Sequence, residues 1–216
     1  MSTASIEQVL DVLGYAESPN YRLTSDQHHP LTAHLFRAAR EAGAEGVYLF
    51  HTSPDDEILP PRPAVYIAEA DAPEKAREIH RSLWNLGNVP FLIVALPSQI
   101  RVYTGFDYDR RDEKKGLVKL IDLVSSLDLG EALADYRAAA IDSGRLWASQ
   151  AHHLKPDNRL DTHLLRNLRK LEEVLVDGGL DLPTAHALIG KYVYIRYLWD
   201  RNILSSQWLE ENGINK

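Results

Sequence analysis

Apolar residues recur every three or four positions in three segments of the first hundred residues. This is the period of an amphipathic helix. Gly43 and Gly87 follow two of the segments, at the position where a helix C-terminus favours a left-handed residue. The pattern therefore predicts helices over residues 5–14, 31–42 and 72–86.

Between these helices the apolar pattern changes to short runs that are rich in β-forming residues. A proline-rich turn separates the first two runs, which predicts a hairpin with a long connection. The continuous apolar run over 91–95 is typical of a strand that is buried on both faces. Residues 1–106 are therefore predicted to form an α/β domain with a mixed four-stranded sheet, whose strands cover 46–51, 64–69, 91–95 and 100–103.

The second half of the chain is predicted to be all-α. Its first nine residues, DYDRRDEKK, are a run of charge, and residues 107–116 are predicted to be a solvated linker. The helical domain then covers 117–216, with helices over 116–127, 130–142, 144–151, 159–177 and 183–200.

The last two predicted helices have the clearest apolar stripes. The first stripe contains Leu160, Leu164, Leu168, Leu171 and Leu175, and the second contains Leu188, Tyr192, Ile195 and Leu198 or Trp199. Pro183 lies in the first turn of the second helix, where proline is tolerated. Its aromatic residues are assigned to a core or an interface rather than to base stacking: Tyr192, Tyr194, Tyr197 and Trp199.

Composition excludes several classes of protein. The 216 residues are 44% hydrophobic and 25% charged, as in ordinary globular proteins, and there is no cysteine to form a disulfide or a thiolate site. The apolar run 90–97 is far shorter than the roughly 20 residues of a membrane helix, and the N-terminus does not resemble a secretory signal. We therefore expect a cytoplasmic protein without membrane contact.

Charge is distributed unevenly along the chain. The net charge of −7 comes from 24 basic and 31 acidic residues. Residues 1–108 contain 8 basic and 14 acidic side chains, which leaves 16 and 17 for the rest. Neither half is basic enough for a dedicated nucleic-acid-binding domain, so any DNA contact needs a local patch.

Searches for catalytic motifs exclude several enzyme classes. The chain has no G-x-S-x-G elbow, no G-x-G-x-x-G loop and no H-E-x-x-H. Gly190-Lys191 is not a phosphate-binding loop, because Tyr192 replaces the required Ser or Thr and Ala185 replaces the first glycine. We assign no catalytic and no metal-binding residue, and we interpret the histidines as surface or capping residues: His28, His29, His34, His152, His153 and His163.

One acidic pattern suggests a nuclease. Glu69 ends a predicted strand, and Asp55-Asp56-Glu57 lies in the preceding turn. The order of elements resembles the core of restriction-endonuclease-like nucleases, in which two carboxylates hold Mg²⁺ beside a lysine. Here Asp71 stands in the place of that lysine, and Lys75 on the next helix is a distant substitute. A diverged metal-dependent nuclease is therefore kept as an alternative.

Two further stretches resemble the N-terminal region of bacterial adenine-specific, S-adenosylmethionine-dependent DNA methyltransferases of restriction–modification and phage-defence systems. The first is IHRSLWNLGNVPFLIV at 79–94, followed by IRVY at 100–103. The second is LIGKYVYIRYLWDRNIL at 188–204. The chain lacks the Gly-rich cofactor loop and the Asn-Pro-Pro motif of the catalytic domain. The resemblance thus implies an N-terminal fragment or a stand-alone relative, with S-adenosylmethionine held by the parent enzyme.

Three hypotheses follow. The leading one is a non-catalytic N-terminal module of a DNA adenine methyltransferase, which positions double-stranded DNA or a partner for the catalytic domain. Its candidate DNA-binding residues are Arg166, Arg169, Lys170, Lys191, Arg196 and Arg201. The alternatives are a protein–protein interaction or dimerisation module that docks defence-system subunits without contacting DNA, and the diverged nuclease.

Overall fold

One open sheet of six strands organises the first part of the chain in the computed structural model, which describes residues 6–26, 32–50, 62–123, 128–154 and 160–200. The strands lie in sequence order, and only β3 and β4 are parallel neighbours. Their bounds are β1 Tyr21–Leu23, β2 Gly46–Phe50, β3 Arg62–Glu69, β4 Phe91–Ala95, β5 Gln99–Thr104 and β6 Leu117–Asp122. The fold is therefore mixed α/β.

Helices cover both faces of this sheet. α1 is Ile6–Leu13, α2 is Ala33–Glu41, and α3, Pro73–Leu86, is the crossover between the parallel pair β3 and β4. Shorter helices follow β6, interrupted by 3₁₀ turns at Ala134–Tyr136 and Ala151–His153: α4 Leu129–Ala132, α5 Ala138–Asp142 and α6 Arg145–Ser149.

Two apolar clusters form the core, one on each face of the sheet. The first joins α1 and α4–α6 to alternate strand residues such as Ile67 and Ile93. The second joins α2 and α3 to the intervening residues, such as Tyr66 and Leu92. Because successive side chains of a strand point to opposite faces, every residue of β4 is buried, as its continuous apolar run predicts.

The structure corrects the predicted second half. The prediction of a helix over 116–127 is wrong, because Leu117–Asp122 is the edge strand β6, and the sheet has six strands rather than four. Only Ile121 of this strand is buried, so no regular alternation of buried and exposed residues marks the segment as a strand. Its apolar residues fit a helical period as well. The predicted helix over 130–142 is also broken into α4, a 3₁₀ turn and α5.

The charged segment 107–116 is fastened to the sheet domain. The Arg77 guanidinium on α3 donates hydrogen bonds to the carbonyl oxygens of Asp109 (2.6 Å), Asp112 (2.6 Å) and Lys115 (2.8 Å). It also lies 4.6 Å from the ring centre of Tyr108. The chain divides into two compact units, Met1–Leu160 and Asp161–Lys216, and this segment lies inside the first.

The second unit contains the two long helices that the sequence predicts. α7 covers Leu160–Asp177 and α8 covers Leu182–Asp200, which confirms the predicted spans to within a residue. Between them Gly179 adopts a φ of 96°, a conformation that other residues rarely adopt. Asp181 Oδ1 accepts a hydrogen bond from the Thr184 N–H at 3.1 Å, as an N-cap does, and Pro183 lies in the first turn.

Candidate interaction site

The pair α7–α8, called the hairpin below, exposes most of the large apolar side chains found at the surface. Fifteen large hydrophobic residues are exposed in the part of the chain that the structure describes. Two of them, Leu23 and Leu120, belong to the first unit, and the other thirteen belong to the hairpin. Concentrations of this kind mark interaction surfaces.

The two helices contact each other along one side of each. Ala185 of α8 is fully buried, and Leu168, Leu175 and Ile189 are partly buried. His186 Nε2 lies 2.7 Å from Glu172 Oε2, which joins α8 to α7. These residues define the inner side of each helix.

A groove of about 710 Å³ opens along the edge of this contact. Its lining is mostly apolar and aromatic, with Gly190 at the centre of α8, the Arg169 side chain of α7, and the Glu172–His186 contact that joins the two helices. It is completed by Leu165, Leu168, Ile189, Val193, Tyr194 and Tyr197. The groove therefore belongs wholly to the second unit.

A second apolar surface lies on the other side of α8. Leu188, Tyr192, Ile195 and Trp199 are 49%, 63%, 54% and 37% exposed. At about 100° per residue, they form a line that lies roughly 160° around the helix from the residues lining the groove. We call these four residues the outer stripe. Their spacing of four, three and four residues is that of a coiled-coil seam.

The predicted DNA-binding cations of α7 lie at its surface. Arg166 and Lys170, four residues apart, share the side that points away from α8, and Arg169 lines the groove. Glu173 and Asp177 lie on the same outer side, by the same helical period, and reduce its positive charge. The outer side of α7 is thus a mixed-charge surface.

The remaining predicted cations belong to α8 and the residues after it. Lys191 and Arg196 are exposed, about 70° to either side of the outer stripe, so they do not lie side by side. Arg201 lies outside the described residues. The hairpin therefore brings Arg166 and Lys170 together and distributes the others over different sides.

The predicted nuclease residues do not form a metal centre among the described residues. Glu69 is exposed at the end of β3, and Asp55-Asp56-Glu57 lies outside the described part of the chain, as do His28 and His29. His34 and His163 are exposed, and the rings of His152 and His153 are 3.9 Å apart. No group of three or more potential metal ligands occurs within the described residues.

A buried histidine with a lowered pKa is a polar group that the sequence analysis did not single out. The Nε2–H of His80 donates to the Thr104 carbonyl oxygen at 2.8 Å, and its ring stacks on Tyr103. Burial lowers the pKa of His80 to about 4, so the ring is neutral at pH 7 and Nδ1 can accept from Arg77 at 3.3 Å. Its place on the apolar side of α3 was the available signal. The contacts anchor residues 104–116 rather than opening onto a cavity.

Comparison with known proteins adds no assignment. No protein-family model, no curated protein and no solved structure matches the chain. Among the described helices, none is long and apolar enough to cross a membrane.

Proposed function

We propose that this chain is an accessory interaction module, in which the sheet domain is a packed scaffold and the hairpin binds a protein surface. One observation carries the proposal: the outer stripe of α8 is exposed on the side of the helix opposite the groove. A helix that is apolar on both sides usually lies between two packing partners, and α7 covers only one side of α8.

The distribution of charge supports a protein partner over DNA. The stripe has Lys191 and Arg196 at its borders and no charged residue within it. The outer side of α7, in contrast, mixes Arg166 and Lys170 with Glu173 and Asp177. Apolar cores with polar rims are typical of protein interfaces, whereas DNA contacts need clustered cations.

Site-specific photo-crosslinking in cells tests this proposal. A benzophenone amino acid replaces Tyr192 in the outer stripe of the full-length chain, and the matched control places it at Arg166 on the outer side of α7. We expect a crosslinked adduct from position 192 and little from position 166. Mass spectrometry then identifies the polypeptide and peptide that are joined.

The adducts decide the proposal directly. A defined partner peptide joined to position 192, from another protein or from a second copy of this chain, supports it. Equal or absent crosslinking at the two positions overturns it.

The second candidate function is the positioning of double-stranded DNA within a methyltransferase system, which rests on the sequence resemblance. The observation that favours it is the pair Arg166 and Lys170 on one exposed side of α7. In this function the partner is the catalytic methyltransferase domain or a defence-system subunit, and S-adenosylmethionine is held by the parent enzyme. The restriction-endonuclease-like order of elements in the first unit stays a hypothesis. Among the described residues, no group of three or more potential metal ligands supports it.

Salt-dependent DNA binding tests the second candidate. Fluorescence anisotropy with duplex DNA should show an affinity that falls with salt. The double variant Arg166→Ala/Lys170→Ala should reduce the slope of log K against log salt by about 2, since each phosphate contact contributes about 0.9. Arg110→Ala/Arg111→Ala, in the exposed part of the charged segment, is the matched control. Equal slopes in both variants would exclude this role for α7.

A further inference from the structure

The outer stripe is regular enough to indicate what covers it. Leu188 and Tyr192 are four residues apart, Tyr192 and Ile195 three, and Ile195 and Trp199 four. In heptad notation they occupy d, a, d and a positions in turn. A helix with this spacing is complementary to another helix with the same spacing, and a copy of α8 is such a helix.

From this spacing we propose that the outer stripe is a homodimer seam, in which α8 of one chain packs against α8 of a second copy. This inference rests on the proposed docking role of the hairpin and names its partner. The interface is isologous, so each chain presents the same four residues and the assembly closes as a twofold dimer.

The exposed area is sufficient for a dimer. Leu164 and Leu171 of α7 are 52% and 37% exposed, seven residues apart, and lie away from the groove residue Arg169. With the four stripe residues, and on the order of 200 Å² for each large apolar side chain, the exposed apolar area is roughly 500–600 Å² per copy. Complete burial of this area in both copies would remove about 1,100 Å² from solvent, which reaches the roughly 1,000 Å² expected of a specific interface.

The flanking charges select the orientation of the two helices. In a parallel pair the g position of one helix lies beside the e position of the other one heptad further on, which places Lys191 next to Arg196 of the second chain. In an antiparallel pair, the g position of one helix lies beside a g position of the other. Lys191 then lies near Leu198 of the second chain instead. Like charges side by side are destabilising, so the seam is antiparallel.

The antiparallel register follows from the symmetry of the stripe. Leu188 of one copy lies opposite Trp199 of the other, and Tyr192 lies opposite Ile195. Two copies of Leu188 are then eleven residues apart along the axis, about 16 Å at 1.5 Å per residue.

Sedimentation equilibrium of the full-length chain tests dimerisation. The wild-type chain should have twice the 24.4 kDa mass of one copy at tens of micromolar, roughly the range where weak dimers populate. Ile195→Glu should raise the dissociation constant at least about a hundredfold, because it buries an unpaired carboxylate in the seam. Tyr194→Glu, on an equally exposed neighbour that lines the groove, should leave the dimer intact.

Circular dichroism of both variants confirms folding, since neither residue is buried in one chain. A monomeric wild-type chain, or a dimer that resists Ile195→Glu and yields to Tyr194→Glu, overturns the proposal. A monomer that nevertheless crosslinks from position 192 to another identified protein overturns the homodimer and leaves the proposed function standing.

Disulfide trapping tests the orientation. The chain has no cysteine, so single substitutions report without background. An equal mixture of Leu188→Cys and Trp199→Cys chains should form the mixed disulfide in preference to either self-disulfide. Predominant self-disulfides would show a parallel pair and overturn the antiparallel assignment.

Discussion

The two units of this chain use apolar residues in opposite ways. In the sheet domain, helices on both faces bury side chains as large as Tyr66, Phe91 and Tyr103, and the central strand β4 is inaccessible along its whole length. In the hairpin, Ala185 is the one fully buried hydrophobic residue among those described. Two helices can cover only one side of each other, so a hairpin with apolar residues on several sides remains incomplete without a further surface. The first unit is thus stabilised by its own core, whereas most of the large apolar residues of the second unit stay exposed.

The sharpest test of this comparison uses two isoleucines. Ile93→Ala in β4 should reduce the free energy of unfolding by about 4 kcal/mol, because it removes buried methylenes and leaves a cavity. Ile195→Ala in the exposed stripe should cost within about 0.5 kcal/mol in the monomer. Urea denaturation at low protein concentration measures both and keeps association out of the result. Equal losses would remove the distinction between the units.

A series of unfolding measurements at different pH values should show how far the stability of the sheet domain depends on a buried group. The pKa of His80 falls from 6.5 to about 4 on folding, so the unfolded chain binds this proton more tightly. The contribution of this pKa shift to the free energy of unfolding is fully present above pH 6.5. It is lost as the pH falls to 4, by about 3 kcal/mol in total. His80→Gln, which retains a donor for the Thr104 carbonyl, should flatten this part of the stability curve. His34→Gln, on an exposed residue of α2, is the matched control, and identical curves for both variants would contradict the assignment.

Two glycines should respond with opposite sign. Gly116 has a φ of 78°, and a Cβ there would overlap the Asp107 carbonyl oxygen and stand 2.5 Å from His80 Cε1. Gly116→Ala should therefore cost at least about 2 kcal/mol. Gly190 in α8 has no atom within 4 Å of such a Cβ, so Gly190→Ala should stabilise the hairpin by about 1 kcal/mol through helix propensity. Denaturation measures the effect of Gly116→Ala, and amide exchange of α8 measures the effect of Gly190→Ala. A loss of stability with Gly190→Ala would show that the groove is occupied.

The smallest effect is expected at the contact between His186 and Glu172, which joins α8 to α7. His186 and Glu172 are 56% and 35% exposed, so solvent screens their interaction. His186→Gln should change the stability of the hairpin by less than about 0.5 kcal/mol at any salt concentration. Amide exchange in α7 and α8 measures this, and a larger loss would mean that the pair, rather than apolar contact, holds the hairpin together.

The sequence predicted long, strongly periodic elements and failed at the sheet edges. The spans of α1, α3, α7 and α8 and the strand β4 follow directly from periodicity and from glycine or proline at the ends. The edge strands were missed for two reasons. β1 has only three residues, and the apolar residues of β6 satisfy a helical period as well as that of a strand. An edge strand buries one side against a single neighbour, so its pattern is weak.

The candidate site was predicted only in part. Periodicity placed Leu188, Tyr192 and Ile195 on one line, and the aromatic residues of this amphipathic helix were assigned to a core or an interface. The structure shows that these three residues are exposed, whereas Ala185, one turn earlier on the same line, is fully buried. The prediction of DNA-binding cations stays a prediction, and the hairpin brings only Arg166 and Lys170 side by side.

By itself the sequence determined where this chain forms helices and central strands, because local period, caps and breakers act within a few residues of one another. Only the tertiary structure decided which apolar side of α8 meets α7, that Leu117–Asp122 joins the sheet, and that Arg77 fastens the charged segment. These choices depend on residues far apart in the chain, and the free energy of each comes from a contact that exists only once the chain has folded.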